Sequence, residues 1–191
     1  DKATEERSEP LLWLLHGEPG VGKSHVLKLV RRFFEECLEW KMGLEYQVAA
    51  LQAVMAAQLG GDTLHHACGI PVYGKKGFDQ NIQQQHENVA KRVLQWRWLI
   101  IDEISMVSAK LLADVDLKLR ETIRRTGTYK SDSQGLDRPF GGLNVLFTGD
   151  FWQLDLPDGG ALGNIPDGFI RRARKYDPKP NIANGQSIFW G

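Results

Sequence analysis

The chain is poor in the features that mark a specialised environment. Only two cysteines occur in 191 residues, Cys37 and Cys68, far apart and without a CxxC pairing. That argues against a disulfide framework or a zinc ribbon and matches a reducing, intracellular compartment. No apolar run approaches the roughly 20 residues that span a bilayer. The opening Asp1-Lys2-Ala3-Thr4 is polar rather than signal-like, so no membrane partner is expected. Neither sign of charge predominates, with 24 Lys and Arg against 24 Asp and Glu. A chain-wide electrostatic footprint for nucleic acid is therefore missing, and any such contact must be local and built from particular loops. There is no internal repeat. The chain begins without methionine and ends on the apolar Ser187-Ile188-Phe189-Trp190-Gly191, so both ends read as cuts through something longer.

What is present is enough for one substantial core: 42% of residues are hydrophobic and 25% charged. Leu11 to Leu15 is a continuous apolar run before a Gly/Pro-rich loop, the profile of a strand buried on both faces. From Lys23 to about Trp40, Val26, Leu27, Leu29, Val30, Phe33, Phe34, Cys37 and Leu38 recur at helical spacing, and Gly43 breaks the segment. Tyr46 to Ala50 reads as a strand and Val54 to Leu59 as a short helix. Gly69 to Gly77 reads as a loop and Asn81 to Gln95 as a surface helix. Trp98 to Ile101 is a second buried strand, with Trp96 and Trp98 expected to pack under the sheet. Ala109 to about Arg125 is an amphipathic helix that places Leu111, Leu112, Val115, Leu119 and Ile123 on one face. Leu143 to Thr148 is a further strand. Alternating strands and helices predict an α/β domain with a mostly parallel central sheet and helices on its faces. No regular structure is predicted after Asp155.

Gly17-Glu18-Pro19-Gly20-Val21-Gly22-Lys23-Ser24 fits GxxxxGK[ST] and sits where phosphate binding requires it, after a strand and before a helix. Its glycines let backbone amides turn toward a β-phosphate, and the helix N-terminus adds partial positive charge. Lys23 supplies a point charge to β- and γ-phosphates, the Ser24 hydroxyl is a magnesium ligand, and His25 closes the candidate nucleotide-binding stretch. Asp102-Glu103 ends the second buried strand in two carboxylates, the arrangement of a Walker B site. Asp102 would hold magnesium, and Glu103 would orient and deprotonate an attacking water. The strand from Leu143 runs into Gly149-Asp150-Phe151-Trp152-Gln153-Leu154. An amide there can report a γ-phosphate, so Gln153 joins Lys23 and Glu103 as a catalytic candidate. Asp150 is as readily a turn former. Phe151 and Trp152 are either core residues or a base-stacking platform.

At these residues the chain resembles the PIF-type helicases, the branch of superfamily one DNA helicases related to RecD. The similarity includes the phosphate loop, Leu99-Ile100-Ile101-Asp102-Glu103-Ile104-Ser105-Met106 as motif II, and Phe140-Gly141-Gly142 through Gly149-Asp150-Phe151-Trp152-Gln153-Leu154 as motif III. Gly60-Gly61-Asp62-Thr63-Leu64-His65-His66-Ala67 looks like the family segment that follows the single-stranded DNA track. The resemblance implies a RecA-like P-loop three-layer sandwich, ATP and Mg2+ as cofactors, and 5′–3′ unwinding of DNA in repair, recombination, replication or telomere maintenance. Single-stranded DNA and DNA forks are the implied partners, in a nucleus or mitochondrion. It makes Gln52, Thr63, His65 and Trp152 candidate DNA contacts. Departures are also visible: Leu51-Gln52-Ala53 stands where the family carries a Pro-Thr-Gly turn, His66 replaces a serine, and Asp155-Leu156-Pro157 replaces a pair of prolines after Leu154.

The domain organisation read from these motifs is a polar lead over residues 1–10, a motor domain over 11–157, and an irregular segment over 158–191 leading toward a missing second motor domain. Without the arginines that such a domain supplies, the chain is expected to bind ATP yet hydrolyse it weakly. An AAA-type loader and a non-catalytic nucleotide-binding fragment are the alternatives. An AAA protein would place an asparagine where Gln153 stands, and a non-catalytic fragment would have lost Lys23, Asp102 or Glu103. A metal site from His65, His66 and Cys68 matches no common zinc spacing. Arg171, Arg172, Arg174 and Lys175 read as a solvated basic face or a phosphate-contacting patch.

Overall fold

The computed structural model describes residues 9–71, 89–123, 131–132, 134–151, 162 and 187–189. Its strands are β1 (Leu12–His16), β2 (Tyr46–Ala50), β3 (Asp62–Thr63), β4 (Trp98–Asp102) and β5 (Asn144–Gly149). They form one sheet in the order β1-β5-β4-β2-β3, and each of these pairings is parallel. Helices α1 (Lys23–Arg32), α2 (Ala53–Gln58), α3 (Leu64–Cys68) and α4 (Ala109–Ile123) make the crossovers. The expected α/β architecture is therefore present, with a layer of helices on each face of the sheet.

Strand alternation sorts the core into two clusters. Leu99, Ile101, Val145 and Phe147 face α3 and α4, where Leu64, Leu112, Val115 and Leu119 are buried with them. Ile100, Leu146 and Val48 face α1 and meet Leu27 and Phe34. The two tryptophans separate accordingly: Trp96 joins the α4 side and Trp98 packs on the α1 side. Burial of this kind contributes about 25 cal/mol per Å² of apolar surface, so β2 and β4, covered on both faces, anchor the domain. On α4 the buried Asp116 accepts a hydrogen bond from the Phe140 N–H at 2.6 Å and pairs with Arg120 Nε at 2.8 Å. That carboxylate holds the Pro139–Gly142 turn against α4 and so sets the entry of β5.

Several expectations need correction. β1 is not buried on both faces: Trp13 is 57% exposed and Leu14 39%, because β1 is a border strand of the described sheet and pairs only with β5 there. The first helix stops earlier than Trp40. Its α-helical part ends at Arg32 and continues as a π-helical turn, Phe33–Cys37. Only part of its apolar stripe is covered, since Val26, Leu29 and Phe33 are exposed. Of the expected surface helix, residues 89–93 are described and helical, with Val89 and Val93 buried in the α4-side core. Residues 81–88, most of the loop after Gly69 and the basic cluster from Arg171 to Lys175 lie outside the described residues. Late in the chain, Ser187–Phe189 is a helical turn rather than irregular, and the Phe189 ring packs edge-on against Phe147 and Phe151. Among the described residues no helix is long and apolar enough to cross a membrane.

Two outcomes follow from this packing. Cys37 is exposed, whereas Cys68 is fully buried and burial pushes its thiol up to about 12. At pH 8 an aromatic disulfide reagent should therefore titrate one thiol in the native protein and two in denaturant. Gly61 lies so close to β2 that a Cβ there would stand 2.4 Å from the Val48 carbonyl oxygen. Gly61→Ala should destabilise the fold by roughly 1–3 kcal/mol, read as a lowered denaturation midpoint, because a backbone oxygen cannot swing aside.

Candidate nucleotide site

The candidate phosphate loop leaves β1 at His16 and enters α1 at Lys23. Gly22 is the N-cap of α1 at φ 97°, a left-handed conformation that glycine adopts without steric cost, and no side chain caps this end. The first-turn N–H groups thus have no side-chain oxygen capping them, which suits an anion. Pro19, Gly20 and Val21 are exposed at the loop's crest. The Lys23 ammonium folds back under it, donating to the Gly17 carbonyl at 2.6 Å and the Glu18 carbonyl at 3.0 Å. Ser24 and His25 follow on the exposed first turn of α1.

The carboxylates stand on the neighbouring strand ends. Asp102, the last residue of β4, is 8% exposed and accepts a hydrogen bond from the Thr148 hydroxyl of β5. Glu103 leaves the strand in the left-handed region, at φ 52° and ψ 49°. A non-glycine residue there carries about 1–3 kcal/mol of strain, tolerable where the surrounding structure imposes it. Its Oε2 is buried and accepts no hydrogen bond among the described residues. Burial raises the Glu103 carboxyl above the ordinary glutamate range, with Asp102 and Asp150 adding like charge and Lys23 opposing them.

β5 completes the arrangement. The Gly17 N–H donates to the Gly149 carbonyl at 3.3 Å, joining the loop to the end of β5. Asp150 is 1% exposed, and its Oδ1 lies 3.9 Å from His16 Nε2. The Phe151 N–H donates to that same His16 nitrogen at 3.3 Å, and the two rings stack at 5.9 Å. Phe151 is thereby packed between His16 and Phe189. Trp152 and Gln153 lie outside the described residues.

The remaining candidates fall on the other side of β4, after β2 and β3. Gln52 is exposed at the N-cap of α2, and its amide reaches Met106 Sδ at 3.8 Å, just past the acidic pair. The Thr63 hydroxyl caps α3 by accepting from the His66 N–H at 3.3 Å, and His65 is half-buried on the helix that follows. His66 pairs with Asp62 and Cys68 points into the core, so these side chains are engaged separately. Among the described residues, no group of three or more His, Cys, Asp or Glu side chains is placed to hold a metal ion.

His16 and Thr148 were not selected from the sequence. Each is a polar residue at the carboxyl end of an otherwise apolar strand, a signal that gains meaning only once β1, β4 and β5 are laid side by side. Because ionised Glu103 is disfavoured by burial and by Asp102, its neutral isostere should be more stable. In metal-free buffer at pH 7, Glu103→Gln should melt higher than the unmodified chain by roughly 1–3 °C. A raised carboxyl pKa means that the penalty is absent below the unfolded value and grows as pH rises through the folded one. The difference should therefore shrink as pH falls through the glutamate range.

The family described as PIF1-like helicase matches residues 2–158. The chain is 34% identical over 142 residues to the ATP-dependent DNA helicase PIF3 of Trypanosoma brucei brucei, covering 74% of this chain and 15% of that protein. It is 38% identical over 144 residues to the ATP-dependent DNA helicase RRM3 of Saccharomyces cerevisiae, covering 72% and 17%. The chain thus spans about a sixth of the length of these curated relatives. Among solved structures, Bacteroides sp Pif1 in complex with ADP-AlF4 is similar with a TM-score of 0.56 at 27% identity, covering 88% of this chain and 33% of that one. Pif1 helicase from Candida albicans is similar with a TM-score of 0.56 at 27% identity, covering 81% and 31%. With the match extending over most of its residues, the chain belongs to the PIF1-like helicase family.

Proposed function

We propose that residues 11–157 are the first, ATP-binding motor domain of an ATP-dependent 5′–3′ DNA helicase, and that residues 158–191 lead toward a second motor domain. The observation that carries this reading is the delivery of the loop after β1 and the Asp102–Glu103 pair after β4 to the same carboxyl edge of a parallel sheet, on strands that β5 joins. Membership of the PIF1-like helicase family supports a coupling to DNA.

In this reading the loop from Gly17 to His25 holds the nucleotide, with Lys23 exchanging its two carbonyl partners for β- and γ-phosphate oxygens. Ser24 and Asp102 would hold Mg2+. They are hard oxygen donors few in number, which suits an ion that keeps waters and substrate phosphates as its other ligands. When bound, the ion neutralises charge developing on the phosphates. Glu103, already raised by burial, takes the proton of the attacking water. Gln153 is assigned to the γ-phosphate. Gln52, Thr63 and His65, after β2 and β3, are assigned to single-stranded DNA along the same edge, with Trp152 as a stacking partner. The parent protein would act on forks in a nucleus or mitochondrion.

Nucleotide binding and single-stranded-DNA-stimulated hydrolysis test the proposal. Lys23→Ala should weaken ATP binding by about tenfold or more, since it removes a charge-assisted contact. Glu103→Gln should bind ATP within about twofold of the unmodified chain and lose about a hundredfold in hydrolysis. Turnover of the chain alone should stay low, because arginines from a second domain contribute about 10³–10⁵ in such reactions. Nucleotide binding that is indifferent to Lys23→Ala would overturn the assignment.

A further inference from the structure

Thr148 is fully buried in β5, and its hydroxyl donates to Asp102 Oδ1. The register makes this pairing a built one. Ile100 faces Leu146 and Ile101 faces Phe147 across β4 and β5, so the next pair along is Asp102 and Thr148. By strand alternation both side chains fall on the α1 side of the sheet, the side on which Ile100 and Leu146 are buried against Leu27 and from which the phosphate loop enters α1. Along β5 the residues before Thr148 are Val145, Leu146 and Phe147, all buried. Packing alone would be served at this position by valine, which has the same shape and no polar atom to satisfy. The hydroxyl has one described role, and that role is the carboxylate.

We infer that Thr148 is the positioning residue for the carboxylate that would hold magnesium: by binding Oδ1 of Asp102 it sets the rotamer of the side chain and leaves Oδ2 available as a ligand. The inference rests on the reading of Asp102 given above and adds a residue to it. A carboxylate oriented by a neighbour gives its ligand a ready-made geometry, whereas one free to rotate must be ordered at the moment of binding. Such supporting hydrogen bonds are commonly worth 10–100-fold in metal affinity. The hydrogen bond also links two functions of β5. The Gly149 carbonyl one residue later accepts from the Gly17 N–H at 3.3 Å, so one strand end holds both the phosphate loop and the carboxylate opposite it.

The test is the magnesium dependence of nucleotide affinity, measured on the full chain with a fluorescent ADP analogue titrated in EDTA and across a series of MgCl2 concentrations. Thr148→Val should raise the half-saturating Mg2+ concentration by about tenfold while leaving affinity in EDTA within about twofold. Thr148→Ser, which keeps the donor, should restore the Mg2+ response to within about threefold of the unmodified chain. Thr148→Ala serves if the valine variant does not fold, and should show the same shift. An unchanged Mg2+ midpoint in Thr148→Val, or a serine variant as impaired as the valine one, overturns the inference. So does a loss in EDTA as large as that in Mg2+, because a merely structural role predicts that pattern. Failure of the underlying reading is separable: it appears as a Mg2+ midpoint indifferent to Asp102→Asn, whatever happens at Thr148.

Discussion

Strands that run the same way deliver their carboxyl ends to one edge of a sheet, and all five strands described here do so. The site depends on that alignment because its parts are far apart in the chain: the loop after β1, the acidic pair after β4 and the Gly-Asp turn after β5. Register matters as much as direction. A slip of one residue between β4 and β5 would turn Asp102 to the α4 side, and a slip of two would carry it about 7 Å along the strand, beyond the Thr148 hydroxyl. The buried rows of Leu99, Ile100 and Ile101 against Val145, Leu146 and Phe147 forbid both, since either slip would leave the polar end of one strand against the apolar middle of the other.

On α4 the buried Asp116 carboxylate is met by the Phe140 N–H and by Arg120. At the carboxyl edge, Glu103 combines a left-handed backbone, a buried oxygen without a hydrogen bond and two like-charged neighbours. These are unfavourable terms that the rest of the fold must offset, and they fall on the residue to which the chemistry is assigned. The contrast supports a functional reading of Glu103 over a solvated strand end, for which none of those features would be needed.

Much of this was legible in the residues. The candidate phosphate loop stands out by its spacing, and the structure places it between β1 and α1 as the pattern predicts. β2, β4, β5 and α4 lie within a residue or two of where hydrophobic pattern put them. What failed to show depended on neighbours rather than on local pattern. Five apolar residues from Leu11 to Leu15 look alike whether a strand lies inside a sheet or at its border, and only strand order decides. The π-helical turn at Phe33–Cys37 preserves the apolar spacing of an α-helix closely enough to pass as one. Thr148 and His16 carry no motif, and their partners Asp102 and Asp150 lie 46 and 134 residues away in sequence. Cross-strand pairs of that separation are invisible until register is known.

β1 brings a mechanical consequence. Among the described residues it is held sideways by one ladder, Leu12 to His16 against Val145 to Gly149, and the contact continues beyond the strands through Gly17 and through His16 to Phe151. The phosphate loop and the segment that leaves β5 therefore share a single load path. Force applied to the chain beyond Phe151 reaches the loop through shear of a few parallel hydrogen bonds, and strain raised in the loop travels out by the same route. The loop is thus coupled to the end of β5 by a border strand gripped from one side.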